Sequence, residues 1–169
     1  MHKTSYNTMK HFLSTLDSEA SLNILDVGSL RVSKQSAYVD LIPKDSKWSY
    51  QGIDLCEGPN VNVVAQYPTC YPFPADTFDV IICGQTLEHT ANPVGLLLEL
   101  RRILKPGGRM CIIAPSAGYE HHNPDYWRIM PDGMEFLMET AGLIDIKVTL
   151  NPAGIWRDCV GTAKKRSIQ

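Results

Sequence analysis

Paired metal-type cysteines, long apolar runs and a strong charge of either sign are all missing from this sequence. Its 5 cysteines (Cys56, Cys70, Cys83, Cys111 and Cys159) are odd in number and include no C-x-x-C pair, so neither a disulfide framework nor a cysteine-held zinc site is expected. Cys83 and Cys111 fall inside apolar segments, where a thiol serves as a small hydrophobe. No stretch approaches the roughly 20 apolar residues of a membrane-spanning helix, and the first residues lack the apolar core of a secretion signal. A reduced, cytoplasmic protein without membrane association is therefore expected. A net charge of −2, from 16 basic and 18 acidic residues, supplies no general attraction to nucleic acid. The Lys164-Lys165-Arg166 run is expected to be a solvated tail. Repeats, linkers and low-complexity segments are lacking too, so the 169 residues should form a single domain, residues 1–169.

What is present centres on residues 72–116 (PFPADTFDVIICGQTLEHTANPVGLLLELRRILKPGGRMCIIAPS). Phe78–Cys83 is apolar, rich in Val and Ile, and too short for a helix, which suits a buried strand. Gly84–His89 is a polar turn, after which Asn92 offers an N-cap and Pro93 a first helical position. Leu97, Leu100 and Leu104 share a helical face that Leu96 and Ile103 widen. Lys105-Pro106-Gly107-Gly108 ends that helix and turns the chain into a second buried strand, Met110–Ala114. Strand, helix and strand at this length make a parallel crossover, hence an α/β sheet.

Upstream, Tyr6–Leu16 is an amphipathic helix candidate, either packing across the sheet or, within residues 1–20, acting as a lid over a ligand. Leu22–Val27 is the first strand, closed by Gly28, whose missing Cβ lets backbone N–H groups come close to a ligand. After the polar stretch Ser29–Ser36, Ala37–Ile42 reads as helical and Pro43 stops it. Trp48–Asp54 is the second strand, ending on a carboxylate able to accept both hydroxyls of a ribose diol. Only residues 55–60 separate it from the short strand Val61–Ala65, less than a parallel crossover normally needs. Gln66–Ala75 is a loop long enough to touch a ligand. Downstream, Gly118–Arg128 is polar, aromatic and aperiodic; a helix from Pro131 to Ala141 follows, with Gly142 as its stop. Leu143–Leu150 and Trp156–Ala163 form a closing antiparallel hairpin.

The order ILDVG, GID, PFPADTFDVIICGQTLEH and LRRILKPGGRMCIIAPS resembles the class I S-adenosylmethionine-dependent methyltransferases, within them the methyltransferase type 11 group. The resemblance spans about Leu22 to Leu143, and the segment from Ala114 to Met134 is similar to a biosynthetic subset. It implies a Rossmann-like, doubly wound αβα sandwich with a mostly parallel seven-stranded sheet of order 3-2-1-4-5-7-6, strand seven antiparallel. It also implies S-adenosyl-L-methionine as cofactor. By the motifs, Asp26 and Gly28 line its methionine end with Ser29 in the same turn, Asp54 takes the ribose diol, and Leu55 lies beside the adenine. Gln85 stands next to the transferring methyl, with Leu87 to His89 continuing that wall. Two departures stand out: a single glycine in the turn Gly28–Val32, and Ala65-Gln66 where an acidic residue usually meets the adenine; the Gln66 amide could bond that edge instead.

A hydroxyl acceptor needs a base near neutral pH, the range of histidine. His121 is the first choice; His89 is either a second choice or a structural part of the LEH turn, and His122 is a neighbour on the acceptor side. Asp125, Trp127 and Arg128 complete that side, with Arg128 either clamping an acidic acceptor or bridging to Asp125. His121, His122 and Asp125 do not have a recognised metal-ligand spacing, so no metal is expected. The expected partner is a small polar acceptor methylated on oxygen, sugar-like or a secondary metabolite; a homodimer could wall the acceptor site of so small a domain. Nitrogen methylation, a non-catalytic binding protein that keeps the fold, and methylation of a macromolecule are the competing readings.

Overall fold

The structure is a computed structural model that describes residues 3–32 and 36–167. Strands β1 (Asn23–Val27), β2 (Ser49–Asp54), β3 (Val63–Val64), β4 (Phe78–Gly84), β5 (Leu104–Pro115), β6 (Leu143–Leu150) and β7 (Asp158–Lys165) form one sheet, in the order β3-β2-β1-β4-β5-β7-β6. The first five strands run parallel, and β7 enters antiparallel between β5 and β6. This is the expected Rossmann-like order. The chain winds from β1 outward to β3, then returns to place β4 on the other side of β1. The carboxyl ends of β1 and β4 therefore flank the crevice where doubly wound sheets hold ligands.

Alternation along the strands divides the core. Leu25, Val27, Ile81, Cys83, Met110 and Ile112 face α2 (Pro93–Ile103) and α3 (Pro131–Thr140). Ile24, Val80, Ile82, Cys111 and Ile113 face α1 (Lys3–Ser14), which buries Met9, Phe12 and Leu13 against them. Asp26 shares the α1 face with Ile24, because side chains two apart point the same way. Helix α2 begins as expected, with the Asn92 side chain accepting from the Gly95 N–H at 2.9 Å and Pro93 in the first turn. Leu96, Leu97, Leu100 and Ile103 are fully buried beneath it.

Several segments differ from expectation. Residues 37–42 make only a 3-10 turn, Tyr38–Leu41, too short to repeat an α-helical hydrogen bond. Residues 33–35 of the preceding polar stretch lie outside the described residues. The short link from β2 to β3 works because Asn62 replaces a crossover helix: its side chain accepts the Gly52 N–H and its own N–H donates to the Gly52 carbonyl. The Lys105–Gly108 turn lies inside β5 as a bulge, since Leu104 already pairs with Phe78 before Arg109 pairs with Val80. Lys105 pins it to Asp79 at 2.8 Å. The basic run is not a free tail: Lys164 and Lys165 belong to β7, and Lys165 Nζ donates to the Leu104 carbonyl at 2.8 Å. No helix among the described residues is long and apolar enough to cross a membrane.

Leu100 sits at the centre of the α2 contact. Leu100→Ala should lower the unfolding free energy by about 3 kcal/mol in urea titration; a loss below about 1 kcal/mol would contradict its full burial.

Candidate active site

The crevice starts with Gly28, which leaves β1 in a left-handed conformation (φ 75°). A Cβ there would stand 1.9 Å from Thr86 Oγ1, so only glycine lets the turn after β4 close on the turn after β1. Thr86 in turn donates to the Val27 carbonyl at 3.1 Å. The expectation that the turn offers its N–H groups to a ligand is not met. Gly28 and Ser29 donate to the Ile53 carbonyl, Leu30 to Asp54 Oδ2 at 3.0 Å, and Arg31 to the Pro59 carbonyl. With the N–H groups of residues 28–31 spent on the protein, these residues do not make a phosphate cradle.

The crevice instead presents acceptors. Asp26 is buried; Tyr50 donates to its Oδ2 at 2.7 Å, while Oδ1 has no hydrogen-bond partner among the described residues. Burial pushes its carboxyl up to about 7, opposed by the Tyr50 hydroxyl and helped by the nearby charge of Asp54. Asp54 ends β2 half-exposed and already accepts the Leu30 and Leu55 N–H groups, holding its carboxylate at the rim. Leu55 and Gln66 are exposed on the same edge. Gln85 takes a positive φ of 59° after β4, donates through Nε2 to Asp158 Oδ1 at 3.0 Å, and leaves its buried Oε1 unpartnered. Asp26 Oδ1 and Gln85 Oε1 are thus buried acceptors without a donor among the described residues. Two expected wall residues lie elsewhere. Ser29 turns its side chain over Gly52 to donate to the Asn60 carbonyl, and Leu87 is fully buried among the core side chains.

Beyond β5, the 118–128 loop folds over the LEH turn. Gly118 (φ 100°) lets it wrap Trp156, whose ring centroid is 4.4 Å from that of His121. Asp125, almost wholly buried, accepts from both guanidinium ends of Arg128 at 2.6 and 2.8 Å, and from the His121 N–H at 2.9 Å. The Arg128 hydrogen bonds hold this carboxyl well below the usual range. Arg128 also donates to the Tyr119 carbonyl, so it anchors the loop instead of clamping an acceptor. Trp127 donates to the Thr90 carbonyl and anchors likewise. His121 Nδ1 stands 3.2 Å from Asp125 Oδ2, and partial burial lowers its pKa despite that carboxylate, keeping the ring neutral near pH 7. The His89 and His121 ring centroids are 5.2 Å apart; exposed His122 lies 5.5 Å from His121.

Sequence reasoning missed the support under the crevice. Buried Tyr38 bonds Ser5 at 2.5 Å, and its hydroxyl fills the space a Cβ on Gly84 would need. Thr4 donates to Asp158 at 2.7 Å, so the first turn of α1 reaches the same rim. Only the Gly84 position, small where a neighbour must enter, hinted at this. Glu88, expected in the wall with Leu87 and His89, is instead fully buried, and burial raises its carboxyl to about 8.

Comparisons with known proteins agree with this architecture. A family model described as a methyltransferase domain matches residues 25–112. A demethylmenaquinone methyltransferase of Paenarthrobacter aurescens is 26% identical over 144 residues, 83% of this chain and 54% of its own. A ubiquinone biosynthesis O-methyltransferase of Aeromonas salmonicida is 32% identical over 84 residues, 48% of this chain and 33% of its own. This chain spans about half or less of the length of such curated relatives. The crystal structure of a SAM dependent methyltransferase from Aquifex aeolicus superposes with a TM-score of 0.66 at 20% identity, covering 92% of this chain and 88% of that one.

Glu88 makes the site pH-sensitive with a definite sign. From about pH 4.5 to 8 the unfolded chain loses the Glu88 proton while the folded chain keeps it, so stability falls as pH rises. In metal-free buffer, Glu88→Gln should gain about 2–5 kcal/mol on the wild type across that interval, measured by denaturant titration. A difference independent of pH would contradict a buried, protonated Glu88.

Proposed function

Because this chain belongs to the methyltransferase domain family, we propose that it transfers a methyl group from S-adenosyl-L-methionine to a hydroxyl oxygen of a small polar molecule. The observation that carries this reading is the acceptor-rich crevice between β1 and β4, with Asp26 Oδ1 and Gln85 Oε1 buried and without donors among the described residues. These atoms suit the ammonium of a methionine moiety. Asp54, at the end of β2, retains acceptor capacity for a ribose diol beyond the N–H groups it already binds. Leu55 and Gln66 would meet the adenine, one by its apolar face and the other by its edge. That residues 28–31 direct their N–H groups into the protein favours this cofactor over a dinucleotide, whose pyrophosphate needs such donors.

Bound S-adenosyl-L-methionine supplies an electrophilic methyl group. The protein's task is to align the acceptor, exclude water and take up a proton. The hydrogen bonds of Thr4 with Asp158 and of Ser5 with Tyr38 hold the first turn of α1 at the rim, which supports a lid role for that helix. His121 is the proton acceptor: the Asp125 carboxylate orients its ring through Nδ1, and Arg128 and the backbone hold that carboxylate in place. Oxygen as the acceptor atom rests on this dyad, since an amine acceptor would have less need of a base. The Aeromonas relative, itself named an O-methyltransferase, lends this reading support. A sugar-like or secondary-metabolite hydroxyl fits the polar 118–128 loop.

Two variants separate the roles. Asp54→Ala should weaken S-adenosylmethionine binding in calorimetry, whereas His121→Ala should leave that affinity near wild type and cut turnover by about 100-fold. Wild-type protein that binds no cofactor near 1 mM, a threshold of about 4 kcal/mol, would favour a binding protein that keeps only the fold.

A further inference from the structure

Methyl transfer as described leaves Glu88 without a task. Its side chain is wholly buried in the middle of the LEH turn, and neither carboxylate oxygen has a hydrogen-bond partner among the described residues. A buried carboxyl with no donor is costly, so it calls for an explanation. One stands beside it. His89 Nδ1 is 2.6 Å from the Pro124 carbonyl oxygen, which can only accept, so Nδ1 carries the proton and Nε2 the lone pair. That Nε2 lies 3.7 Å from Glu88 Oε1. The His121 ring reaches the same point from the other side, its Nδ1 held by Asp125. One ligand atom from each of Glu88, His89 and His121 lies within 4.8 Å of the other two.

The geometry points to a binding site for a single divalent transition-metal ion, held by Glu88, His89 and His121. Two imidazoles and one carboxylate suit Zn2+, Co2+ or Fe2+, while Mg2+ and Ca2+ prefer all-oxygen sets. Ligand bonds of about 2.0–2.2 Å put ligand atoms roughly 3.3 Å apart in a tetrahedral site. The 3.7 Å pair is already near that spacing, and the set closes by side-chain adjustments of the order of 1 Å. The outer partners are in place as well. Pro124 fixes the His89 tautomer, and Asp125, itself fixed by Arg128, orients His121, as a backbone carbonyl and a carboxylate do for metal-bound histidines generally. The ion would give Glu88 the partner it lacks. Three protein ligands leave a position for water or an acceptor hydroxyl, which the ion would acidify; with the ion bound, that acidification takes the place of the proton acceptance assigned to His121 in the ion-free protein.

This set differs from the His121, His122 and Asp125 grouping that the sequence places close together. Asp125 is committed to Arg128 and to His121, and His122 is exposed. His89 and Glu88 arrive from a different segment, so no ligand spacing within one motif could announce them.

The test reads ion binding, not turnover, and is therefore separable from the methyl-transfer reading. The full chain, stripped with a chelator and dialysed, is titrated with Co2+ while its visible d–d absorption is followed. One equivalent should bind with the bands of four- or five-coordinate cobalt, and Zn2+ should displace it. Glu88→Gln and His89→Ala should each weaken binding by at least about 100-fold, more than loss of an outer partner typically costs. His122→Ala should leave it unchanged, with thermal melts confirming that each variant is folded. Wild-type protein that shows no bands in excess Co2+ overturns the inference. So do bands that survive Glu88→Gln and His89→Ala, or that vanish only in His122→Ala.

Discussion

The approach of Thr86 to Gly28 is the constraint on which the rest of the site depends. A hydroxyl sits where any other residue would carry its Cβ, and it caps the last carbonyl of β1. That contact brings the ends of β1 and β4 together and forces the chain after Gly28 to swing over β2. There, residues 28–31 spend their N–H groups on Ile53, Asp54 and Pro59. What remains open to a ligand is a set of oxygens, not a nest of amides. A parallel sheet with its switch point between β1 and β4 could serve many ligands; the local turn chemistry is what favours a cationic, diol-bearing one.

The two faces of the sheet divide structure from function. The α2 and α3 face carries the larger continuous core, including the leucines of α2 and the methionines of α3. The α1 face is thinly covered, by α1 and a 3-10 turn, and it receives Asp26 as well as Tyr38 and the first turn of α1. Polar groups there satisfy one another in part, Ser5 with Tyr38, Thr4 and Gln85 with Asp158, Tyr50 with Asp26, which leaves Asp26 Oδ1 and Gln85 Oε1 as the acceptors without a donor among the described residues. Past β5, the loop carrying His121 is set in place by Asp125 and Arg128 and by its packing on Trp156. Its His121 ring lies beside His89 and Glu88 of the LEH turn beneath it.

The strand–turn–helix–strand unit of residues 72–116 was legible because Asn92, Pro93 and the α2 leucines obey local rules of capping and periodicity. Asp26, Gly28, Asp54 and Gln85 were legible because each falls at a strand end in a recognisable order. The unread parts are long-range. Thr4 meets Asp158 across almost the whole chain, and Ser5 meets Tyr38 through packing that no spacing encodes. Asn62 replaces a crossover helix by one side-chain bond to Gly52. Leu87 followed the motif in sequence but points into the core, since successive residues of a tight 3-10 turn face different directions. Arg128 was ambiguous until Asp125 was seen to be buried against it.

The central claim is that the crevice flanked by β1, β2 and β4 is the cofactor site. Amide shifts of the isotope-labelled chain on titration with S-adenosylhomocysteine test it most directly. The account predicts the largest changes at Gly28, Leu30, Leu55 and Gln85, with Leu30 prominent because its N–H shares the Asp54 carboxylate. Changes confined to the β6 and β7 edge, or no saturable changes at all, would contradict it.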